Sequence, residues 1–376
     1  VLSTGELQSD ESNEVTVAVG GPSVGAQSEF LSTEARGTSV TRLDATHVFV
    51  AYGNTSDVYG KVGTVTGSSI AFGGDQGFGG TNGEPWVDCD TLDSTHVVVV
   101  WKFSNVEMRA QIGVISGTTV STPSSYYQVH TGNIGYPHVA ALDSTHFVAV
   151  GRESINNVWA RVGDTSGGTT ISWGTRVEMQ GTNAHYPCVA AISSTKFVAV
   201  YVDVSGWAGK ARVGTVSGTS ISFGTVATWK ASDAYYEVAV ADLGDGEHVV
   251  LAYGQSGSSV VKVGTVAGGG TGTTISFGSD YEFQNQPVEC ELGALSTGKI
   301  MVAYRDGYDG SKAKVREGVV SGTTVSFGGA SDGLNAAGLG SEKYSVAGIS
   351  STQAVVTYED ASDGSHGTAN VVTAVL

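Results

Sequence analysis

The chain has 376 residues, of which 54 are glycine and only 6 proline, and its 19 Lys plus Arg against 36 Asp plus Glu leave a formal net charge of −17. That composition excludes collagen, which needs far more proline and a strict glycine period, and the charge disfavours nucleic acid phosphates and anionic lipid heads as partners. A hydrophobic fraction of 40%, with 11 Phe, 15 Tyr and 6 Trp, supplies enough apolar surface for a large core, so the chain is expected to fold.

Val1 follows no basic and apolar leader, the pattern of a processed start, and no run approaches the eighteen or so apolar residues of a membrane span, so membrane insertion is not expected. From residue 43 onward one short motif recurs. It reads Leu43-Asp-Ala-Thr-His47, Leu92-Asp-Ser-Thr-His96, Leu142-Asp-Ser-Thr-His146, Ile192-Ser-Ser-Thr-Lys196, Leu243-Gly-Asp-Gly-Glu-His248, Leu295-Ser-Thr-Gly-Lys299 and Ile349-Ser-Ser-Thr-Gln353. The leading apolar residues are 49, 50, 50, 51, 52 and 54 apart, which is loop variation on one supersecondary module.

The fourth copy shows the module most clearly. Tyr186 to Ala191, Phe197 to Tyr201, Lys210 to Val216 and Thr219 to Phe223 are four strand-length segments, a to d, separated by Ser-, Asp- and Gly-rich punctuation. Glycine in Val216-Ser-Gly-Thr219 stands where a tight hairpin needs positive φ, and the Asp of Asp-Ser-Thr-His can hold its turn by bonding the backbone two residues on. Four strands in about 50 residues, seven times over, predict an all-β chain forming a seven-bladed β-propeller over residues 1–376. The seventh copy lacks strand d, whereas Val17-Ala-Val-Gly20 matches Ile221-Ser-Phe-Gly224 and Ser28-Glu-Phe30 matches Tyr281-Glu-Phe283. Residues 13–30 are therefore expected to supply the outer strand of the blade formed by 344–376.

The recurring Gly214-Thr-Val-Ser-Gly-Thr-Ser-Ile-Ser-Phe-Gly224 resembles repeats of surface and tail-associated proteins of bacteria and their phages. That resemblance implies an extracellular, cell-surface or virion location and assigns no activity. The blades carry neither the Trp-Asp ending of WD40 repeats nor the paired glycines of kelch repeats.

Connections from d to a are expected on one face with those from b to c. In the d-to-a loops Asn82, Asn133 and Asn183 recur in register with Trp86, Tyr136 and Tyr186, and blades five and seven keep the aromatic as Tyr236 and Tyr344. An amide beside a ring offers stacking and paired hydrogen bonds, the chemistry that holds a sugar. The competing reading gives Asn a turn role and makes the ring a plug between blades. Asp306-Gly-Tyr-Asp-Gly310, Asp360-Ala-Ser-Asp-Gly364 and Asp203 place oxygen ligands of the Ca²⁺ type in b-to-c loops, without the alternating spacing of a calcium loop; ordinary Asp-Gly turns are preferred and no cofactor is expected. His47, His96, His146 and His248 each begin strand b of a different blade, too far apart to share a metal. Asp88, Asp90, Glu237, Glu289 and Glu291 fall on a strands, around the channel. Cys89, Cys188 and Cys290 lie too far apart for a disulfide framework and read as small buried residues.

No nucleophile elbow, zinc-protease helix or phosphate loop is present. The expected function is a non-catalytic propeller that binds glycans or another surface through its d-to-a loops. Two alternatives stay open: a structural subunit that contacts copies of itself in a virion or extracellular assembly, and a carbohydrate-active hydrolase or lyase with carboxylates drawn from several blades.

Overall fold

A computed structural model describes residues 20–376 apart from 81–85, 124, 133, 154–155, 167, 235–237, 270–271, 287 and 335–343. It contains seven antiparallel sheets of a-b-c-d order. Blade 4 is representative, with a at Ala184–Ser193, b at Lys196–Asp203, c at Ala208–Ser217 and d at Ser220–Phe223 followed by Ala227–Lys230. The outer strand is longer than the sequence indicates, because after a break at Gly224 the chain pairs again with strand c.

Strand b is a continuous apolar run because each of its faces meets a neighbouring blade: Phe197 through Val202 are all 0% exposed. Clusters of buried side chains lie between successive blades, such as Val198, Val200, Val249 and Leu251 between blades 4 and 5. The c-to-d turns carry glycine at positive φ, as expected, at Gly67, Gly117, Gly218 and Gly322. The Asp turns also form as read: Asp44, Asp93 and Asp143 each accept the N–H two residues on at 2.7 Å. The histidine that follows then docks on the same carboxylate, His47 at 2.9 Å and His248 on Asp245 at 2.7 Å. Burial opposes ionisation of Asp44, but the Thr46 N–H and the His47 ring outweigh it and bring the carboxyl to about 2. These histidines are turn clasps in separate blades.

The ring closes as the repeat arithmetic requires. Inner strand Ser345–Gly348 of blade 7 lies beside Arg36–Arg42 of blade 1, and Ser23–Val24 and Ser28–Glu34 pair with His366–Thr373, the c strand of blade 7. The register differs from expectation. Gly25 donates to the Val371 carbonyl as Gly224 does to Val213, so Pro22–Gly25 occupies the place of Ile221–Gly224. Val17–Gly20 was the expected match; Gly20 lies five residues before the true equivalent, and Val17 is outside the described residues. The second match, Ser28-Glu-Phe30 with Tyr281-Glu-Phe283, is in register, Phe30 and Phe283 both being buried beside strand c.

A second repeated device joins the blades. In strand c, Lys61, Arg161, Arg212, Lys262 and Arg316 stand at one register position, and each donates to a backbone carbonyl of the preceding outer strand: Phe30, Val129, Met179, Trp229 and Phe283. A charged donor on a buried carbonyl contributes about 1.5–3 kcal/mol. In blade 7 the position holds Asn370, too short to cross; there the Tyr358 hydroxyl stands between the Leu334 carbonyl, 3.0 Å away, and Asn370 Oδ1, 2.7 Å away, with one proton to share between them.

Candidate functional site at the channel mouth

The a strands enclose a channel with a cavity of about 300 Å³, lined among others by Asp88, Asp90, His138, Cys188, Asp242 and Glu291. Asp88 and Asp90 are built into the wall. Asp88 accepts from Ser39 Oγ of blade 1 at 2.7 Å and from the Val139 N–H of blade 3 at 2.9 Å; Asp90 repeats this with Thr41 at 3.0 Å and the Ala141 N–H at 2.8 Å. Each carboxylate from blade 2 therefore staples both neighbours, supplying acceptors to inner-strand N–H groups that have no further strand to pair with. His138 Nδ1 lies 3.3 Å from Asp88 and 3.9 Å from Cys188 Sγ. All three cysteines are buried free thiols.

These groups titrate in opposite senses. Burial raises Asp88, but His138, Ser39 and the Val139 N–H overcome it and hold its carboxyl below the ordinary range. Burial dominates at Asp90 and at Asp242, pushing both up to about 6, and among the described residues Asp242 Oδ1 has no hydrogen-bond partner. A carboxyl raised in the folded state stabilises the fold fully below its unfolded value of about 4 and loses that contribution as pH rises through about 6. Asp242→Asn should thus gain about 1 kcal/mol at pH 7.5 and little at pH 4, a modest figure because Asp242 keeps some solvent. Equal urea midpoint shifts at both pH values would contradict this.

Above the channel, the d-to-a and b-to-c loops share one face and bond to each other: Ala184 N–H to the Asn156 carbonyl at 2.7 Å, Val204 N–H to the Asn183 carbonyl at 2.7 Å, and Ala234 N–H to the Trp207 carbonyl at 2.9 Å. Trp86, Tyr136 and Tyr186 form one arc there. Ring centroids are 4.1 Å apart for Trp86 and Tyr136 and 4.9 Å for Tyr136 and Tyr186, all three rings being half-buried. Tyr136 and Tyr186 line the channel mouth with His138, Pro187, Val238 and Glu291.

Both tyrosines sit in left-handed backbone, at φ 56° and 53°, where the pairing with strand b skips register. A bulge adds a residue and turns its side chain out of the pleat, and a bulky residue held at positive φ costs of order 1 kcal/mol. The surrounding fold sustains that cost twice, in the same place, to aim two rings at one mouth. Asn183 is exposed, also at φ 56°, and its carbonyl anchors the neighbouring loop, so its backbone fills the turn role while the amide faces solvent. Tyr186 packs in part on the cluster between blades 4 and 5. In blade 7 the plug reading applies outright: Tyr344 is 7% exposed and donates to the Glu289 carbonyl. Asn82, Asn133 and Tyr236 lie outside the described residues.

The sequence reading missed the cations beside the arc. Lys102 Nζ stands 5.4 Å from the Trp86 ring centre and Arg152 Cζ 5.1 Å from that of Tyr136, and Arg152 donates to His185 Nδ1 at 2.8 Å. Burial, then the Arg152 charge, lowers the His185 pKa, which keeps the ring a neutral acceptor. Lys102 and Arg152 occupy the same position at the end of strand b in successive blades, the signal that could have exposed them. In the b-to-c loops the Asp306 and Asp309 carboxylates are met by lysines, Lys314 lying 3.0 and 2.8 Å from them and Lys312 3.1 Å from Asp309.

No protein-family model matches this chain, and no curated protein does. Solved structures match. The BP39L lectin from Burkholderia pseudomallei is 11% identical with a TM-score of 0.66, the alignment covering 92% of this chain and 99% of the lectin. Sqt1 from Chaetomium thermophilum is 11% identical with a TM-score of 0.53 over 94% and 98% of the two chains, and a protein from Lactobacillus plantarum is 10% identical with a TM-score of 0.54 over 80% and 85%. At such identities the likeness establishes architecture: this is a seven-bladed β-propeller.

Proposed function

We propose that this protein is a non-catalytic glycan-binding propeller whose contact surface is the aromatic arc at the channel mouth. The observation that carries the reading is the paired left-handed tyrosines. A merely space-filling ring needs no strained backbone, whereas a stacking platform for the apolar face of a sugar must present its rings at a fixed angle. Arg152, beside the Tyr136 ring, and His185, beside the Tyr186 ring, border the platform with groups that bond hydroxyls, and Asn183 is exposed in the same loop as Tyr186. The likeness to BP39L, described as a lectin, supports the reading; Sqt1 shares the architecture without that description, so the weight rests on the arc. Binding without catalysis fits the channel acids, since Asp88 and Asp90 already spend their oxygens on neighbouring blades. The setting we favour is an external cell or virion surface, in keeping with the repeat composition; among the described residues no helix is long and apolar enough to cross a membrane.

Asparagine tolerates positive φ, so Tyr136→Asn and Tyr186→Asn remove the rings without adding backbone strain. On a glycan array each should lower affinity for the best wild-type ligand about tenfold or more, while both variants stay folded with a modest loss of stability, larger for Tyr186, whose ring packs in part on the cluster between blades 4 and 5. Undiminished binding by the folded double variant would refute the arc as the contact surface. Filaments or particles from wild-type protein that binds no glycan would instead favour an assembly role.

A further inference from the structure

The strongest unassigned cluster lies where the ring closes. His366 begins strand c of blade 7, and its Nδ1 faces two carboxylates: Asp363 in the preceding turn at 3.5 Å, and Glu29 at 3.1 Å on the N-terminal strand that completes the blade. Ligand atoms of all three lie within 4.8 Å of one another. His47, His96, His146 and His248 each meet one turn aspartate; His366 meets a second acid from a segment more than three hundred residues away.

The local fold fixes this arrangement. Ala361–Asp363 is a single 3₁₀ turn, capped by the Asp360 carboxylate on the Ser362 N–H and ended by Gly364 at φ 67°. It places Asp363 and His366 three residues apart on one side, while strand pairing of Glu29 with Thr368 brings the second acid alongside. A ring nitrogen carries at most one proton, so Nδ1–H cannot serve two carboxylates well, and the acids repel each other. An ion at Nδ1 would satisfy all three. With metal–N and metal–O lengths of about 2.0–2.2 Å, ligands of one tetrahedral ion stand about 3.4 Å apart, which the 3.1 and 3.5 Å separations of His366 Nδ1 from the two acids bracket.

We propose that Glu29, Asp363 and His366 bind a divalent ion of the zinc class, with water completing its coordination, and that this ion fastens the N-terminal strand to blade 7. The imidazole selects zinc, cobalt or nickel over calcium, which takes oxygen ligands. Exposure of both acids keeps the site accessible and makes its affinity moderate. The inference stands apart from the glycan reading, since neither site shares a residue with the other.

Co²⁺ reports on it directly. Metal-free full-length protein titrated with Co²⁺ should develop a visible d–d band saturating with one equivalent bound at this site. Glu29→Gln, Asp363→Asn and His366→Ala should each weaken that binding about tenfold or more, and Zn²⁺ at a hundred times its Kd should raise the wild-type thermal midpoint by about 2 °C or more over the chelator-treated protein. Asp363→Asn is an exposed turn change outside the strand ladder, so it keeps the test decisive if the strand variants misfold. Unchanged Co²⁺ affinity in the folded variants, or identical wild-type midpoints with Zn²⁺ and with chelator, would overturn the proposal.

Discussion

Phe30→Ala should destabilise the protein by about 3–5 kcal/mol, as much as Trp229→Ala at the equivalent place in blade 4. Phe30 is 1% exposed; its ring covers Gly367 so closely that an added Cβ there would stand 2.3 Å from it, and it meets the Tyr52 ring at 5.1 Å and Phe72 at 5.7 Å. Trp229 covers Gly209 and meets Tyr253 at 4.6 Å in the same manner. The two truncations leave the carbonyls that receive Lys61 and Lys262 in place, so they isolate ring packing from the ionic tie. In a closed ring every junction is internal, and opening one exposes the core on both sides. Phe30 belongs to the cluster between blades 7 and 1, with Val355, Val371, Val48 and Val50. Equilibrium urea unfolding of the two variants decides the matter. A loss under about 1 kcal/mol for Phe30→Ala beside the full loss for Trp229→Ala would mean that the N-terminal segment is a loosely applied edge and not a working member of the last blade.

The module count and the four-strand unit were legible because strand b is buried on both faces and the turns on either side need Asp or Gly; burial and turn chemistry leave marks in one dimension. The closing strand was legible in kind and misplaced by five residues, since Val17-Ala-Val-Gly20 and Pro22-Ser-Val-Gly25 both pass for the segment before the break. Spacing decides between them: Gly25 precedes Phe30 by five residues, as Gly224 precedes Trp229 and Gly278 precedes Phe283. The ionic ties were hidden, because a lone Lys or Arg in an alternating strand looks like a solvent-facing residue until the carbonyl it reaches is known. At the channel mouth Trp86, Tyr136 and Tyr186 were found through their register, but their mutual contact was not, as 50 residues separate each ring from the next. Nor does anything in the sequence announce a tyrosine at positive φ. The staples made by Asp88 and Asp90 show the same limit: acids that the sequence places only on a strands around the channel turn out to satisfy the N–H groups of the next blade.

The glycine excess carries the second large effect, because the motif glycines do two different things. Gly218 is a turn residue at φ 56° with open space around it, and alanine there should cost about 1 kcal/mol through backbone strain alone. Gly214 has ordinary strand geometry and no room: a Cβ would lie 2.1 Å from the Phe197 ring, which is itself fully buried and met edge-on by Phe223 at 5.7 Å. Gly163 stands under Phe147 in the same way, with the Cβ at 2.3 Å. Valine at 214 must therefore displace a ring that has nowhere to go and break an aromatic pair, so Gly214→Val should cost more than about 3 kcal/mol, at or beyond the upper end of ordinary overpacking. The cost can be reduced by making space. Phe197→Leu leaves a void of its own, yet combined with Gly214→Ala it should cost less than the sum of the two single changes, because the new methyl enters the volume the ring vacated. Urea unfolding of the four proteins in that cycle measures the coupling; strict additivity would show that the close contact between ring and glycine does not govern this position.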